Sequence, residues 1–325
     1  MNDQTNLKAE GPTQFTPSAE RRYFSANEYF KKLFGKKTYK LSFDAGFNCP
    51  NRDGKISYGG CIFCSEGGSG DFAVKLTADN LQNIDNSFAE AKARVSEKIR
   101  TNSYIAYFQS YSNTYAPTET LEKLFSAVIA RSDVCALSIA TRPDCFTDET
   151  YKLIKRLCGV KPIFVELGLQ TANEKTAEYI NRGYNLPVYD QAVARLKTAG
   201  ANVITHVIIG LPGENKTDFL NTIKHATGAG TDGLKLQLLH ILKNTRLAEV
   251  FAREKFRTLD KEEYVDILCD CVNIVPENVV IHRLTGDAPK KLLIEPKWSA
   301  DKKSVLNLIT KTFNERNVIQ GSKAK

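Results

Sequence analysis

Two hydrophobic patterns alternate along the chain. Short β-branched apolar runs lie at 39–44, 103–109, 134–140, 163–169, 202–209 and 234–240, each of strand length. Between them, apolar residues recur every three or four positions. Leu81, Ile84, Phe88, Ala91, Val95 and Ile99 make one stripe over 79–100, as a helix packed on a sheet requires. Leu121, Leu124, Phe125 and Val128 do the same over 118–131, after Pro117. Thr147 and Asp148 suit the cap of a helix carrying Tyr151, Ile154 and Leu157. Further helices are expected over 173–182, 187–199 and 216–227, with Gly200 just past one C-terminus. Strands that alternate with helices predict an α/β fold of parallel βα units with right-handed crossovers. Periodicity leaves open whether the sheet is a plain open one or curls as an incomplete (β/α) barrel. In both cases a site should form where the βα loops gather, at the C-terminal ends of the strands. A last segment, 260–325, is expected to add a helix, a strand near 279–282 and a helix over 301–316 along one sheet edge.

Composition changes this picture little. Of 325 residues, 42% are hydrophobic and 25% charged, which excludes disordered, collagenous and coiled-coil chains. The polar, acid-bearing start MNDQTNLKAE does not read as a signal peptide. No apolar run reaches transmembrane length. The expectation is a soluble, cytoplasmic protein with no membrane partner.

Charge adds more. The formal net charge is +8. Residues 21–40 hold seven basic residues against Glu28 alone, and residues 289–325 hold nine against three acids, while the long middle is close to neutral. Basic ends around a near-neutral body suit a polyanion such as RNA through phosphate contacts. Solvated surface that merely aids solubility would look the same.

Three of the eight cysteines, Cys49, Cys61 and Cys64, fall in one turn-rich loop after the first strand, with the spacing C-x11-C-x2-C. Structural zinc takes four ligands, usually as two pairs, and this loop offers one pair and an outlier. A [4Fe–4S] cluster takes one thiolate per iron; three cysteines leave one iron free for a chelating ligand. Iron–sulfur, zinc and plain buried thiols all remain open from spacing alone. Cys135, Cys145, Cys158, Cys269 and Cys271 read as small buried hydrophobes.

The stretch YKLSFDAGFNCPNRDGKISYGGCIFC resembles the cysteine loop of radical S-adenosylmethionine (radical SAM) enzymes. More narrowly it is similar to the YtqA/YhcC group, related to the radical SAM domain of Elongator's catalytic subunit. The resemblance covers about 22–321 and includes YFQSYSNTYAP, SIATRPDC, VELGLQTAN, INRGYN, HVIIGLPGE and HRLTGDAPKKLLIEPKW. Most radical SAM enzymes separate the first two cysteines by three residues; the longer gap is usual in the Elongator-like branch.

The resemblance implies a partial (β/α)6 TIM-type barrel with the cysteine loop after strand 1 and a small C-terminal α/β extension. It implies a [4Fe–4S] cluster on Cys49, Cys61 and Cys64, with SAM on the open iron. Phe63 matches an aromatic position near the adenine. Gln109, Ser110 and Ser112 end the second strand, where the SAM amino group is received. Thr141, Arg142 and Asp144 follow the third. Glu166 and Gln170 on the fourth could take ribose hydroxyls or the cofactor ammonium, unless Glu166 pairs with an internal Lys or Arg. Arg182 matches an arginine that pairs with the SAM carboxylate, and Ile208 and Gly210 bring backbone to the adenine. Lys235, Gln237 and His240 on the sixth strand, and His206 on the fifth, could face the barrel. The expected division is a flexible tail over 1–20, a partial barrel over 21–255 and a basic extension over 256–325. The expected activity is radical SAM modification of tRNA at the C5 side chain of the wobble uridine, with flavodoxin or ferredoxin as electron donor. The alternatives are a small-molecule substrate such as a porphyrinogen, or a zinc RNA-binding module without catalysis.

Overall fold

Tyr39–Asp44 (β1), Tyr104–Phe108 (β3), Val134–Thr141 (β4), Ile163–Gln170 (β5), Asn202–Ile209 (β6) and Gly233–Leu238 (β7) are the six strands read from the sequence. They appear in a computed structural model that describes residues 15–68, 72–95 and 101–324. Two edge strands join them, Val74–Lys75 (β2) and Val280–Arg283 (β9). The order is β2-β1-β3-β4-β5-β6-β7-β9, and every neighbouring pair is parallel. β2 and β9 do not pair with each other, so the sheet is open. It is also curled: Lys40 of β1 and Lys235 of β7 both pair with Glu166 of β5. The partial barrel is therefore the correct alternative.

Strand periodicity builds the layers. Alternate residues point to opposite faces. Ala106, Phe108, Leu137, Ile139, Val165, Leu167, Val203 and Val207 face outward into the main core, under the helices Ile84–Ala93 (α2), Thr118–Ile129 (α3), Asp148–Cys158 (α4), Leu186–Thr198 (α6) and Lys216–Gly228 (α7). Ile105, Ala136, Phe164 and Ile204 face inward at the lower end and pack against Phe30. Phe30 belongs to a helix absent from the sequence reading, Ala26–Phe34 (α1), capped by the Ser25 side chain. α1 closes the floor of the half-barrel. One step of two along the same strands brings Tyr107, Ser138, Glu166 and His206, a polar layer above an apolar floor.

Differences from expectation have local causes. The 79–100 stripe begins as a 3-10 segment, Ala78–Asn83, and becomes α-helical only over α2. Asn80 breaks it, at φ −123° and ψ 32°, with its side chain bonded to Asn83 at 2.6 Å. Positions 96–100 lie outside the described residues, as do 1–14 of the expected tail. Phe15, also within that tail, is buried and stacks on Phe24 with ring centroids 4.7 Å apart. β7 stops at Leu238, and Ile241–Leu242 (β8) then pairs antiparallel with the distant Leu293–Glu295 (β10) in a separate two-stranded sheet. Glu174–Tyr179 (α5) is shorter than expected; Arg246–Glu254 (α8) was not anticipated. Lys261–Ile274 (α9) and Lys302–Glu315 (α10) complete the extension, and β9 carries it into the main sheet. Among the described residues no helix is long and apolar enough to cross a membrane.

Candidate functional site

The cysteine loop leaves β1 at Asp44 and crosses the upper mouth of the half-barrel. Its turns are tied from inside. Arg52 N–H and Cys64 N–H donate to the carbonyls of Cys49 and Cys61 at 2.8 and 3.0 Å. Arg52 Nη2 donates to the carbonyls of Cys64 and Ser65 at 3.2 and 2.5 Å. The loop is also tied to the segment after α5: Asn51 Nδ2 donates to Asn181 O at 2.6 Å, and Asn181 Nδ2 returns to Gly60 O at 2.8 Å. Gly183 completes this seam. Its φ is +81°, and a Cβ there would stand 2.8 Å from Asn51 Oδ1.

Cys49, Cys61 and Cys64 line one cavity of about 460 Å³, within the ordinary range of ligand sites. Burial pushes the Cys61 thiol up to about 12 against the pull of Arg142, and Cys64 and Cys49 push it the same way. Asn51 Nδ2 also reaches Cys61 Sγ at 3.7 Å, the kind of hydrogen bond that tunes a metal-bound sulfur. Among the described residues no three His, Cys, Asp or Glu side chains are grouped to hold a single metal ion. A cluster asks for something else, one thiolate on each of three irons.

The same cavity is lined by Phe63, Gln109, Ser112, Thr141, Glu166, Gln170, Arg182 and Ile208. Two residues expected there stand away. Ser110 is buried outside the lining, and Gly210 lies against Leu259, where a Cβ would meet Leu259 Cδ1 at 3.2 Å. Ser110 has the opposite parity to inward Tyr107 and Gln109, and Gly210 lies past the end of β6 at Ile209, in a turn at φ +95°.

Three further residues have internal partners. The Glu166 carboxylate, fully buried, accepts from Lys40 Nζ at 2.5 Å, Ser138 Oγ at 2.7 Å and Lys235 Nζ, and meets His206 Nε2 at 2.7 Å. The internal pairing is thus the observed one. Burial works to raise its pKa, but Lys235 and Lys40, then His206, hold the carboxyl well below its usual range. Burial, then Lys235, lowers His206 to about 4. Burial also lowers Lys235, against the pull of Glu166. Arg182 spends its guanidinium on the β5–α5 turn: Nε to Tyr184 O at 2.9 Å, Nη1 to Leu169 O at 3.3 Å and Thr171 O at 2.6 Å, Nη2 to Glu174 at 3.0 Å. Arg142 holds Asp144 with two bonds of 2.9 and 2.6 Å.

Other atoms are left open. Gln170 Oε1 and His240 Nε2 are buried on the cavity with no hydrogen-bond partner. A buried acceptor without a partner is costly, so its presence on a cavity wall points to a ligand. Gln170 and Tyr111 both line the cavity at positive φ, 68° and 56°, a strained backbone of the kind found at functional sites. Tyr107, Tyr111, Tyr184, Arg52 and Arg283 also line it and escaped the sequence reading. Tyr107 shares the inward parity of Glu166 and could have been found by counting in twos. Arg283 could not, because nothing local shows which strand β9 pairs with.

Comparison with known proteins agrees with this geometry. Residues 48–226 match the Radical SAM superfamily, and 231–315 match the Radical_SAM C-terminal domain. The chain is 41% identical to YtqA of Bacillus subtilis over 94% of this chain and 93% of that one. It is 33% identical to YhcC of Escherichia coli K12 over 90% and 92%. A tRNA uridine(34) acetyltransferase of Methanocaldococcus jannaschii is 26% identical over 57% of this chain and 34% of its own length. Among solved structures, Methanocaldococcus infernus Elp3 superposes with a TM-score of 0.63 at 15% identity, over 87% of this chain and 64% of that one. A family match across more than half the residues, laid over a half-barrel whose cavity gathers the three loop thiols, makes this chain a member of the radical SAM superfamily.

Proposed function

We propose that this radical SAM enzyme acts on tRNA, at the C5 side chain of the wobble uridine. The observation that carries the radical chemistry is that Cys49, Cys61 and Cys64, on one loop, open into the same cavity as unpartnered Gln170 Oε1 and the polar strand ends. Radical SAM enzymes bind a [4Fe–4S] cluster and SAM, and the residues present suit both. The three thiolates would hold three irons and leave the fourth for the amino acid end of SAM. Arg142 beside Cys61, and Arg52 beside Cys64, place positive charge next to the sulfurs. Together the two cofactors supply a 5′-deoxyadenosyl radical that takes hydrogen from a substrate carbon. The half-barrel would orient the cofactor and exclude water from it. An electron donor such as flavodoxin or ferredoxin completes the requirements.

The tRNA reading rests on three supports. One is the similarity to a tRNA uridine(34) acetyltransferase across 57% of the chain. Another is the excess of basic residues over 21–40 and 289–325. The third is exposed Phe72, which lines the same cavity as Tyr111, since aromatic faces suit an unstacked base. The similarity to that acetyltransferase spans only a third of its length, so acetyl transfer is not proposed. Processing of an existing side chain fits better, for example carboxymethylaminomethyluridine to aminomethyluridine. Hydrogen abstraction from the carbon between amine and carboxylate, with the remaining electron passed to an oxidised iron–sulfur centre, would give an imine, and its hydrolysis by water would leave the aminomethyl group and release the two-carbon unit as glyoxylate. Two experiments test the proposal. Anaerobic reconstitution with iron and sulfide should give a brown protein that makes 5′-deoxyadenosine from SAM; a colourless zinc protein without cleavage would refute the chemistry. Mass spectrometry of tRNA nucleosides with and without the gene should show altered wobble uridines; unchanged uridines would refute the substrate alone.

A further inference from the structure

We infer that the inner part of the cavity, where Lys235 of β7 and Arg283 of β9 stand side by side in register, recognises a carboxylate on the substrate. The inference rests on the wobble-uridine reading for what carries that carboxylate, and on charge and geometry for the rest. Four cations there share two carboxylates. Glu166 serves Lys40 and Lys235, and Asp287 serves Arg283 at 3.3 Å and Lys302 at 2.5 Å. Among the described residues the other polar neighbours bring no negative charge: Tyr107, Ser138, His206, Gln237, His240 and His282. Of the four cations, Lys235 and Arg283 line the cavity, and Lys40 lies behind Glu166. Lys235 is nearly buried, whereas the Arg283 side chain keeps a third of its surface exposed. A desolvated ammonium beside a partly open guanidinium is a good receptor for one carboxylate. An added anion also balances charge that the protein leaves uncompensated in a low-dielectric site.

This assignment gives β9 a role in specificity. The C-terminal extension does more than cover an edge, because its strand places Arg283 opposite Lys235. A substrate ending in –NH–CH2–COO⁻ would present its carboxylate to the two cations and its flat ring to the mouth.

The test uses the full chain with its cluster reconstituted, and a matched pair of small probes, N-benzylglycine and N-benzylglycinamide. They differ by one charge. Calorimetric titration should show the acid binding about tenfold more tightly, as one charge-assisted bond would give. The preference should vanish in Arg283→Gln and in Lys235→Met. Arg283→Gln alters a partly exposed side chain and keeps the test decisive should Lys235→Met fail to fold. Equal binding of acid and amide, no binding of either, or an unchanged preference in Arg283→Gln would overturn the inference. So would displacement of the acid by SAM, which would make the cations a cofactor subsite, or tighter binding of inorganic phosphate than of the acid. Stem-loop RNAs with the carboxymethylaminomethyl side chain and its amide form a separate arm. Discrimination between the small probes with indifference to both RNAs would support the carboxylate site and overturn the tRNA reading.

Discussion

Glu166 shows how much one residue can carry. It is a carboxylate in an otherwise apolar strand, and its two oxygens engage groups from β1, β4, β6 and β7. Removing one partner from a buried charge group leaves the rest uncompensated, at a cost of roughly 3–5 kcal/mol. Glu166→Gln should therefore lower the urea midpoint by a corresponding amount, and a loss below about 1 kcal/mol would show that water reaches the group. The pH dependence follows from the lowered pKa. Its contribution is fully present above the ordinary carboxylate range and is lost as pH falls through the depressed folded value. Glu166→Gln should flatten the acid limb of the stability curve. At the loop, Cys49→Ser, Cys61→Ser and Cys64→Ser should each abolish the brown colour and SAM cleavage, because among the described residues no fourth cysteine lines the cavity to replace a lost ligand.

At the scale of elements, α1 and the β5–α5 turn make the strongest claims. Phe30 meets Phe164 edge-on at 5.4 Å, above a floor of Ile105, Ala136 and Ile204. Phe30→Ala should cost about 3–5 kcal/mol in denaturation, the usual loss for a buried aromatic ring. A loss under 1 kcal/mol would mean α1 lies loosely. Arg182 holds two carbonyls of the β5–α5 turn and one of its own loop, so it positions Gln170 whatever it does for a cofactor. Arg182→Lys keeps the charge and loses the fork. Hydrogen exchange should then quicken around 169–174 with cluster colour retained; unchanged protection there would show that the clamp is not needed.

The strands β1 and β6 were legible to the residue, because buried parallel strands read as apolar runs of fixed length. α1 was not, since its apolar residues Phe30 and Phe34 sit among five lysines and a glutamate over 28–40, where charge masks the periodicity. β2 and β8 are two residues each, below any pattern. The thiols, Phe63, Gln109 and Gln170 were found by motif. Arg52 and Arg283 were not, because their positions depend on a loop closing on itself and on which edge the last strand chooses.

For the whole molecule the electrostatic asymmetry matters most. Binding carried by phosphate contacts weakens steeply with salt, with a slope set by the number of contacts. Affinity for a tRNA should fall by at least about tenfold between 50 and 200 mM salt. Replacing Lys290 and Lys291 with Gln should make that slope shallower without changing SAM cleavage in the absence of RNA. A salt-independent affinity would assign the basic ends to solubility.

A curled sheet without a seam has no ladder of backbone bonds to keep its ends near each other. Here the tether between the first strand and the seventh is a single buried acid gripped from both sides. Such a rivet fails by protonation rather than by heat. On strong acidification, below the ordinary carboxylate range, the sheet should relax at its rims first, with amides of β1 and β7 exchanging before those of β4, while the helical shell stays intact. The sulfur-bearing loop hangs from one of those rims, so its grip on anything it holds would be the first function lost.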